Sequence, residues 1–169
     1  MLNKKMEQAI NEQIKWEMYS GYLYLSMSAW CANEGLPGFA HWMRLQGQEE
    51  LTHAMKFYDY VLERGGKVEL QAIDKPDFQW KSALAVVEHT LKHEQHVTAR
   101  VNDLMTLAQQ EKDHAACIFL QWFVAEQVEE EDGVGEVLNK LKLVSKDGAG
   151  MYMLDKEMAL RIFTPPVAQ

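Results

Sequence analysis

Four stretches of about 27 to 31 residues each repeat apolar side chains at alternating spacings of three and four, which only stacked helices can bury on one side. The first runs through Ile10, Ile14, Tyr24, Met27 and Cys31, the second through Phe39, Met43, Phe57 and Val61. The third has Leu84, Val87, Leu91, Val101, Met105 and Ala108; the fourth has Ala116, Leu120, Phe123, Val134, Val137, Leu141 and Val144. Strand alternation is absent, and the stretches are rich in helix formers. The breakers between them are Gly35-Leu36-Pro37-Gly38, the run from Arg64-Gly65-Gly66 to Lys75-Pro76-Asp77, and the hinge ending in Asp113, a good N-cap. A further breaker at Lys146 to Gly150 precedes a short stretch, roughly residues 150 to 162, striped by Met151, Leu154, Met158 and Ile162; Thr164-Pro165-Pro166 ends it.

Connection lengths set the topology. Short links make stretches one and two, and three and four, antiparallel hairpins. About 15 non-helical residues separate the second from the third, and extended they reach about 50 Å. A helix of 27 residues is about 40 Å long. The link can therefore cross the whole bundle and leave helices two and three parallel. The expected fold is an all-α bundle of four helices with one long crossover and a short fifth helix, in one domain spanning 1–169.

The stripes are broken at their centres by acids. Continuing the spacing gives Glu17 in the first helix, Gln46, Glu50 and His53 in the second, Glu94 in the third, and Gln127 and Glu130 in the fourth. Each carboxylate lies near its helix midpoint, so packing the helices side by side brings them to one level, facing inward. A lone helical Glu is ordinarily solvated. A buried set is different, because each uncompensated charge costs several kcal/mol. No Lys or Arg lies on the inner stripes nearby, so bound metal is the expected counter-charge. Oxygen-rich ligation with one imidazole suits iron or manganese better than zinc. Several acids around one space favour two ions bridged by carboxylate, with Glu50 the best bridge because His53 follows one turn later.

Net charge and other features narrow the class. Seventeen basic against twenty-five acidic side chains give a net charge of −8, which argues against nucleic acid as partner. No apolar run approaches the roughly 18 residues of a membrane span, and the polar start lacks a secretory pattern. Cys31 and Cys117 read as small buried thiols of a cytoplasmic protein.

On Glu17-Met18-Tyr19-Ser20, Gln48-Glu49-Glu50-Leu51-Thr52-His53, Lys92-His93-Glu94-Gln95, Phe119-Leu120-Gln121-Trp122 and Glu126-Gln127-Val128-Glu129-Glu130-Glu131, the chain resembles the bacterial non-haem ferritins over essentially its whole length. The resemblance implies a ferritin-like cage of 24 subunits that oxidises Fe2+ with dioxygen or peroxide and stores the ferric mineral. By the same analogy Glu17, Glu50 and His53 hold one iron, Glu50 bridges to a second completed by Glu94 and Glu130, and Glu49, Glu126, Glu129 and Glu130 form a third, outer site. Gln127 lies beside the centre, and Tyr24 and Trp122 are its aromatic neighbours. Tyr24, one heptad after Glu17, is either a core tyrosine that needs a hydrogen-bond partner or a functional group that hydrogen-bonds a ligand carboxylate or donates an electron.

Two departures from relatives carry expectations. Bacterioferritins repeat Glu-x-x-His on the fourth helix; here Gln127 and Glu130 stand there, so the second iron should be held less tightly. Leu51 replaces the methionine that ligates their haem, so no haem is expected. A rubrerythrin-like di-iron oxidase or peroxidase is the main competing reading, and it wants that second Glu-x-x-His. A DNA-protecting mini-ferritin places its site between subunits, and a cytokine-like bundle needs no inward acids. His93 and His96 are expected at the surface, Glu131 and Asp132 in solvent.

Overall fold

A computed structural model describes residues 1–144 and 146–164. Among these, five helices follow in order: α1 (Lys4–Asn33), α2 (Pro37–Glu63), α3 (Ala83–Gln110), α4 (His114–Val144) and α5 (Gly148–Met158). Pro165 and Pro166 lie outside the described residues. No helix among those described is long and apolar enough to cross a membrane.

Each helix but one starts on a local side-chain cap. Asn3 accepts from the Met6 amide at 2.9 Å, Ser82 from Ala85 at 3.2 Å, Asp113 from Ala116 at 3.0 Å and Asp147 from Ala149 at 3.1 Å. The exception is α2, where Leu36 precedes Pro37 and offers no cap. Its free amide is met from α5, where buried Asp155 accepts from the Phe39 N–H at 3.0 Å. The two chains meet so closely that a Cβ on Gly38 would lie 1.6 Å from the Asp155 carbonyl oxygen. A distant aspartate thus both caps α2 and anchors the short fifth helix.

The crossover can be followed by its contacts with α1. At one end Lys67 N–H donates to Glu7, and Asn11 bonds the Lys67 carbonyl at 2.9 Å and the Glu69 amide at 2.7 Å. At the other end Ser26 donates to the Asp77 carbonyl at 2.7 Å. From Asn11 to Ser26 is about 22 Å along the helix axis. The chain therefore leaves α2 beside the start of α1 and enters α3 beside its end, so α2 and α3 run parallel. The crossover occupies residues 64–82, longer than the expected 15, because the segment from Phe78 to Lys81 also stays out of helix.

Two apolar clusters hold the bundle. One gathers Tyr24, Met27, Phe39, Met43, Val87, Val134 and Leu141, with Leu154 and Met158 of α5. The other gathers Ile10, Ile14, Phe57, Val61, Val97, Val101, Leu120 and Phe123. On α3 the buried face is Val86, Thr90, Val97 and Leu104, while Leu84, Leu91 and Met105 are half-buried at its edges. The fifth helix ends sooner than its stripe suggests, and Ile162 lies past it, 83% exposed. Cys31 is buried as expected, but Cys117 is only half-buried.

Candidate metal centre

Between the two clusters lies a layer of buried polar side chains. It contains Gln13, Glu17 and Ser20 of α1, Gln46, Glu50 and His53 of α2, Thr90, His93 and Glu94 of α3, and Gln127 and Glu130 of α4. Their spacings of three and four residues keep them on the same helix faces as the apolar stripes they interrupt. Glu17, Glu50 and Glu94 are at most 1% exposed, and His53 is 2% exposed.

The acids are supported unequally. Glu17 accepts from Gln13 Nε2 at 2.8 Å, and Gln13 is in turn held by Arg100 Nε at 3.2 Å. Its other oxygen, Oε2, has no hydrogen-bond partner among the described residues, and neither do Glu50 Oε2 and His53 Nε2. Glu94 is held by the Tyr24 hydroxyl and by Gln127 Nε2 at 3.3 Å. Gln127 also donates to Thr98, whose hydroxyl donates to Glu131 at 2.6 Å. Glu130 accepts from Gln46 Nε2 at 2.8 Å. No Lys or Arg among the described residues pairs with Glu17, Glu50, Glu94 or Glu130.

Burial without a counter-ion drives the Glu50, Glu94 and Glu130 carboxyls upward. Glu50 is pushed well above the usual range by burial, then by Glu94, Glu17 and Glu130. Burial raises Glu94 to about 7 despite the opposing bonds from Tyr24 and Gln127. Glu130 rises to about 8, through burial first and repulsion from Glu94 and Glu49 next. The Tyr24 phenol is likewise held protonated, by burial and by the Glu94 charge. Such a layer resists full ionisation until cations enter it.

Two groups of candidate ligands come together here. Oxygens of Glu17 and Glu50 and a nitrogen of His53 lie within 4.8 Å of one another, as do atoms of His53, Glu126 and Glu130. His53 faces both: Nδ1 is 3.4 Å from Glu50 Oε2, and Nε2 is 3.8 Å from Glu126 Oε1. Trp122 and Phe123 pack against its ring edge-on, at 5.4 and 6.1 Å. Glu94 belongs to neither group; its oxygens are engaged by Tyr24 and Gln127 instead.

Outward of this layer, Glu49, Glu126, Glu129 and Glu130 line a cavity of about 230 Å³ with Trp42, Gln46 and Arg161. Glu49 and Glu126 are half-buried and Glu129 is exposed. Burial raises the Glu126 carboxyl, opposed by His53.

Several sequence expectations change. His93 is buried at 8% exposure, its Nε2 2.8 Å from the Ser20 hydroxyl, while His96 is exposed as expected. Burial pushes His93 down to about 4, so it is neutral. Glu131 is half-buried and paired with Thr98. Two cations do approach the layer, Arg100 through Gln13 and Arg161 through Gln46 and Glu49. Gln13 and Ser20 were legible, being one turn before and after Glu17 on the inner stripe. Arg161 had no sequence signal, because it meets α2 from the far end of the chain.

Comparison with known proteins agrees with this architecture. The ferritin-like domain family matches residues 7–144. A bacterial non-heme ferritin of Bacteroides fragilis is 44% identical over 95% of this chain and all of its own. One from Escherichia coli is 37% identical over 94% of this chain and 96% of its own. An open-pore ferritin structure from Archaeoglobus fulgidus superposes with a TM-score of 0.95 at 50% identity, covering 96% of this chain and all of that one. With the fold, the crossover and the acid layer in agreement, the chain belongs to the ferritin family, whose function is iron storage.

Proposed function

We propose that each subunit oxidises Fe2+ at an intrasubunit di-iron centre and passes Fe3+ to a mineral inside a cage of 24 copies in the cytoplasm. In this reading Glu17, Glu50 and His53 bind the first ferrous ion, Glu50 bridges to the second, and Glu94 and Glu130 complete it. The observation that carries it is that buried Glu17 Oε2 and Glu50 Oε2 have no hydrogen-bond partner among the described residues, with His53 Nδ1 3.4 Å from the latter. A buried polar atom without a partner is a net penalty unless a ligand satisfies it. A ferrous ion is such a ligand, and hard carboxylates favour its ferric state.

Iron is the substrate here. Two ferrous ions give one electron each; dioxygen takes both with two protons and becomes hydrogen peroxide, or peroxide takes them and becomes water. Protons leave Glu94 and Glu130 as the ions bind, because both carboxyls are held protonated near neutrality without cations. Tyr24 keeps Glu94 oriented through its hydroxyl. Oxidised iron next reaches Glu49, Glu126, Glu129 and Glu130, the outer site, with His53 standing between the two groups.

Size-exclusion chromatography with aerobic ferrous loading tests the reading. A particle near half a megadalton that takes up far more than three irons per subunit supports storage; a dimer retaining two supports a rubrerythrin-like oxidase instead. Glu50→Ala should slow oxidation by more than about 100-fold. It should leave the metal-free fold as stable or firmer, because a buried, poorly compensated carboxyl is removed. Oxidation at the parent rate would rule out Glu50 as the bridge.

A further inference from the structure

The tail beyond α5 carries a cation into the outer acidic cavity. Arg161 donates through Nη1 to Gln46 Oε1 and through Nη2 to Glu49 Oε2 at 2.5 Å. Its guanidinium lies 5.5 Å over the Trp42 ring, and its carbonyl accepts from His41 Nε2 at 3.0 Å. One face of α2 therefore grips this residue by backbone and side chain together. Gln46, engaged through its oxygen, turns its Nε2 to Glu130. Among the described residues lining the cavity, Arg161 is the one base beside Glu49, Glu126, Glu129 and Glu130. From the inner side, buried His53 Nε2 has no hydrogen-bond partner among the described residues and lies 3.8 Å from Glu126, and ligand atoms of His53, Glu126 and Glu130 fall within 4.8 Å of one another at the cavity wall.

We propose that Arg161 is a built-in competitor for cations at this outer cavity: it neutralises Glu49 while the cavity is metal-free, and a divalent ion bound there displaces its side chain and loosens the tail. The inference rests on the outer-site reading given above. A metal ion and a guanidinium cannot both use the Glu49 oxygen at bonding distance, and their like charges repel. Arg161 and Glu49 remain 28% and 19% exposed, so their pair is weak enough to yield to a divalent ion. The tail's other tether at His41 keeps the guanidinium close, at high effective concentration, ready to return. Its return expels the ion, which makes the outer site a place of transit rather than retention.

The test uses Zn2+, which is redox-inert, titrated into the metal-free assembled protein. Binding is followed by calorimetry, and tail opening by hydrogen exchange of the amides at 161–164. Glu129→Gln marks the outer site, since that side chain is exposed and makes no bond that holds the fold. The proposal expects an outer Zn2+ lost in Glu129→Gln, bound about three- to tenfold tighter in Arg161→Gln. It also expects faster tail exchange in the parent on adding Zn2+, and tail exchange already fast in Arg161→Gln without it. Equal outer affinity in parent and Arg161→Gln, or weaker binding in the variant, overturns the competition while leaving the outer site standing. If Glu129→Gln changes no Zn2+ binding at all, the outer-site reading fails and the competitor falls with it.

Discussion

The two halves of the acid layer are built on opposite plans. On α1 and α2, Glu17, Glu50 and His53 each keep an atom with no protein partner. On α3 and α4, Glu94 and Glu130 are held by Tyr24, Gln127 and Gln46, and both carboxyls sit near neutrality. One half leaves buried polar atoms unsatisfied, as a coordination shell without its ion would; the other is already satisfied by hydrogen bonds. On the proposed di-iron reading both ions must displace protons, but the first meets carboxylate oxygens that no side chain holds, whereas the second must also break the hydrogen bonds to Glu94 and Glu130. That difference predicts a second iron held less tightly than the first.

The largest effect should separate the halves directly. Glu17→Ala is expected to weaken the first ferrous ion more than about 100-fold in anaerobic titration. Glu94→Ala should leave that first step near the parent value and remove the second. If both variants lose the first ion equally, the halves are not distinct and the ions bind as one unit.

Proton competition comes next. Below about pH 7 the Glu94 carboxyl is protonated, and below about pH 8 so is Glu130. Each proton displaced weakens the second ion by up to about tenfold per pH unit as pH falls. The first ion should follow pH in the same sense, since Glu50 is also raised. In the metal-free protein the sign of stability is the reverse of affinity. The folded carboxyls hold protons that the unfolded chain, near 4.5, releases. Their stabilising contribution is full below pH 4.5 and is lost as pH rises through 7 and 8. Thermal melts of apoprotein between pH 5 and 9 should therefore show a falling Tm, and added Zn2+ should flatten that fall. A Tm that rises across the same range would mean that the layer is paired with charges of the assembled cage.

Much of this was open to a reader of the sequence, for reasons that differ by element. Periodicity found the helices and the acids that interrupt them, because a buried stripe is a local, repeating constraint. Tyr24 followed from its heptad spacing to Glu17, and its hydroxyl bond to Glu94 is the partner that a buried tyrosine there needs. His93 was misjudged because α3 buries a wider face than a strict three-four walk allows, taking in both His93 and Glu94. The Asp155 cap on α2 and the Arg161 approach to Glu49 join positions more than a hundred residues apart. Only the docking of α5 brings such pairs together, and no local pattern encodes it.

Tyr24→Phe probes the satisfied half more gently. It removes the donor to Glu94 Oε1 while keeping the buried ring in its cluster. Freed from that bond, Glu94 should titrate higher still and hold the second ion about three- to tenfold less tightly, with the first unchanged. A loss of oxidation rate without any loss of second-ion affinity would point instead to the phenol as an electron donor. Ferrous titration and stopped-flow oxidation on the same variant separate these roles.

The smallest effect tests whether polarity in this layer always means metal. His93 is as buried as Glu130, yet both ends of its contact with Ser20 are accounted for. Ser20 Oγ donates its one proton to the Trp16 carbonyl at 3.0 Å, so it accepts from His93 Nε2–H at 2.8 Å. Tyr19 and Tyr24 pack around the ring at 5.8 Å. The pair is a framework bond rather than a vacant ligand. Ser20→Ala should then cost about 1 to 3 kcal/mol of stability in chemical denaturation, through the orphaned N–H. Ferrous affinity and oxidation rate should stay at parent values. A changed iron stoichiometry in that variant would enlist His93 in the centre, and the division between prepared and satisfied groups would have to be redrawn around it.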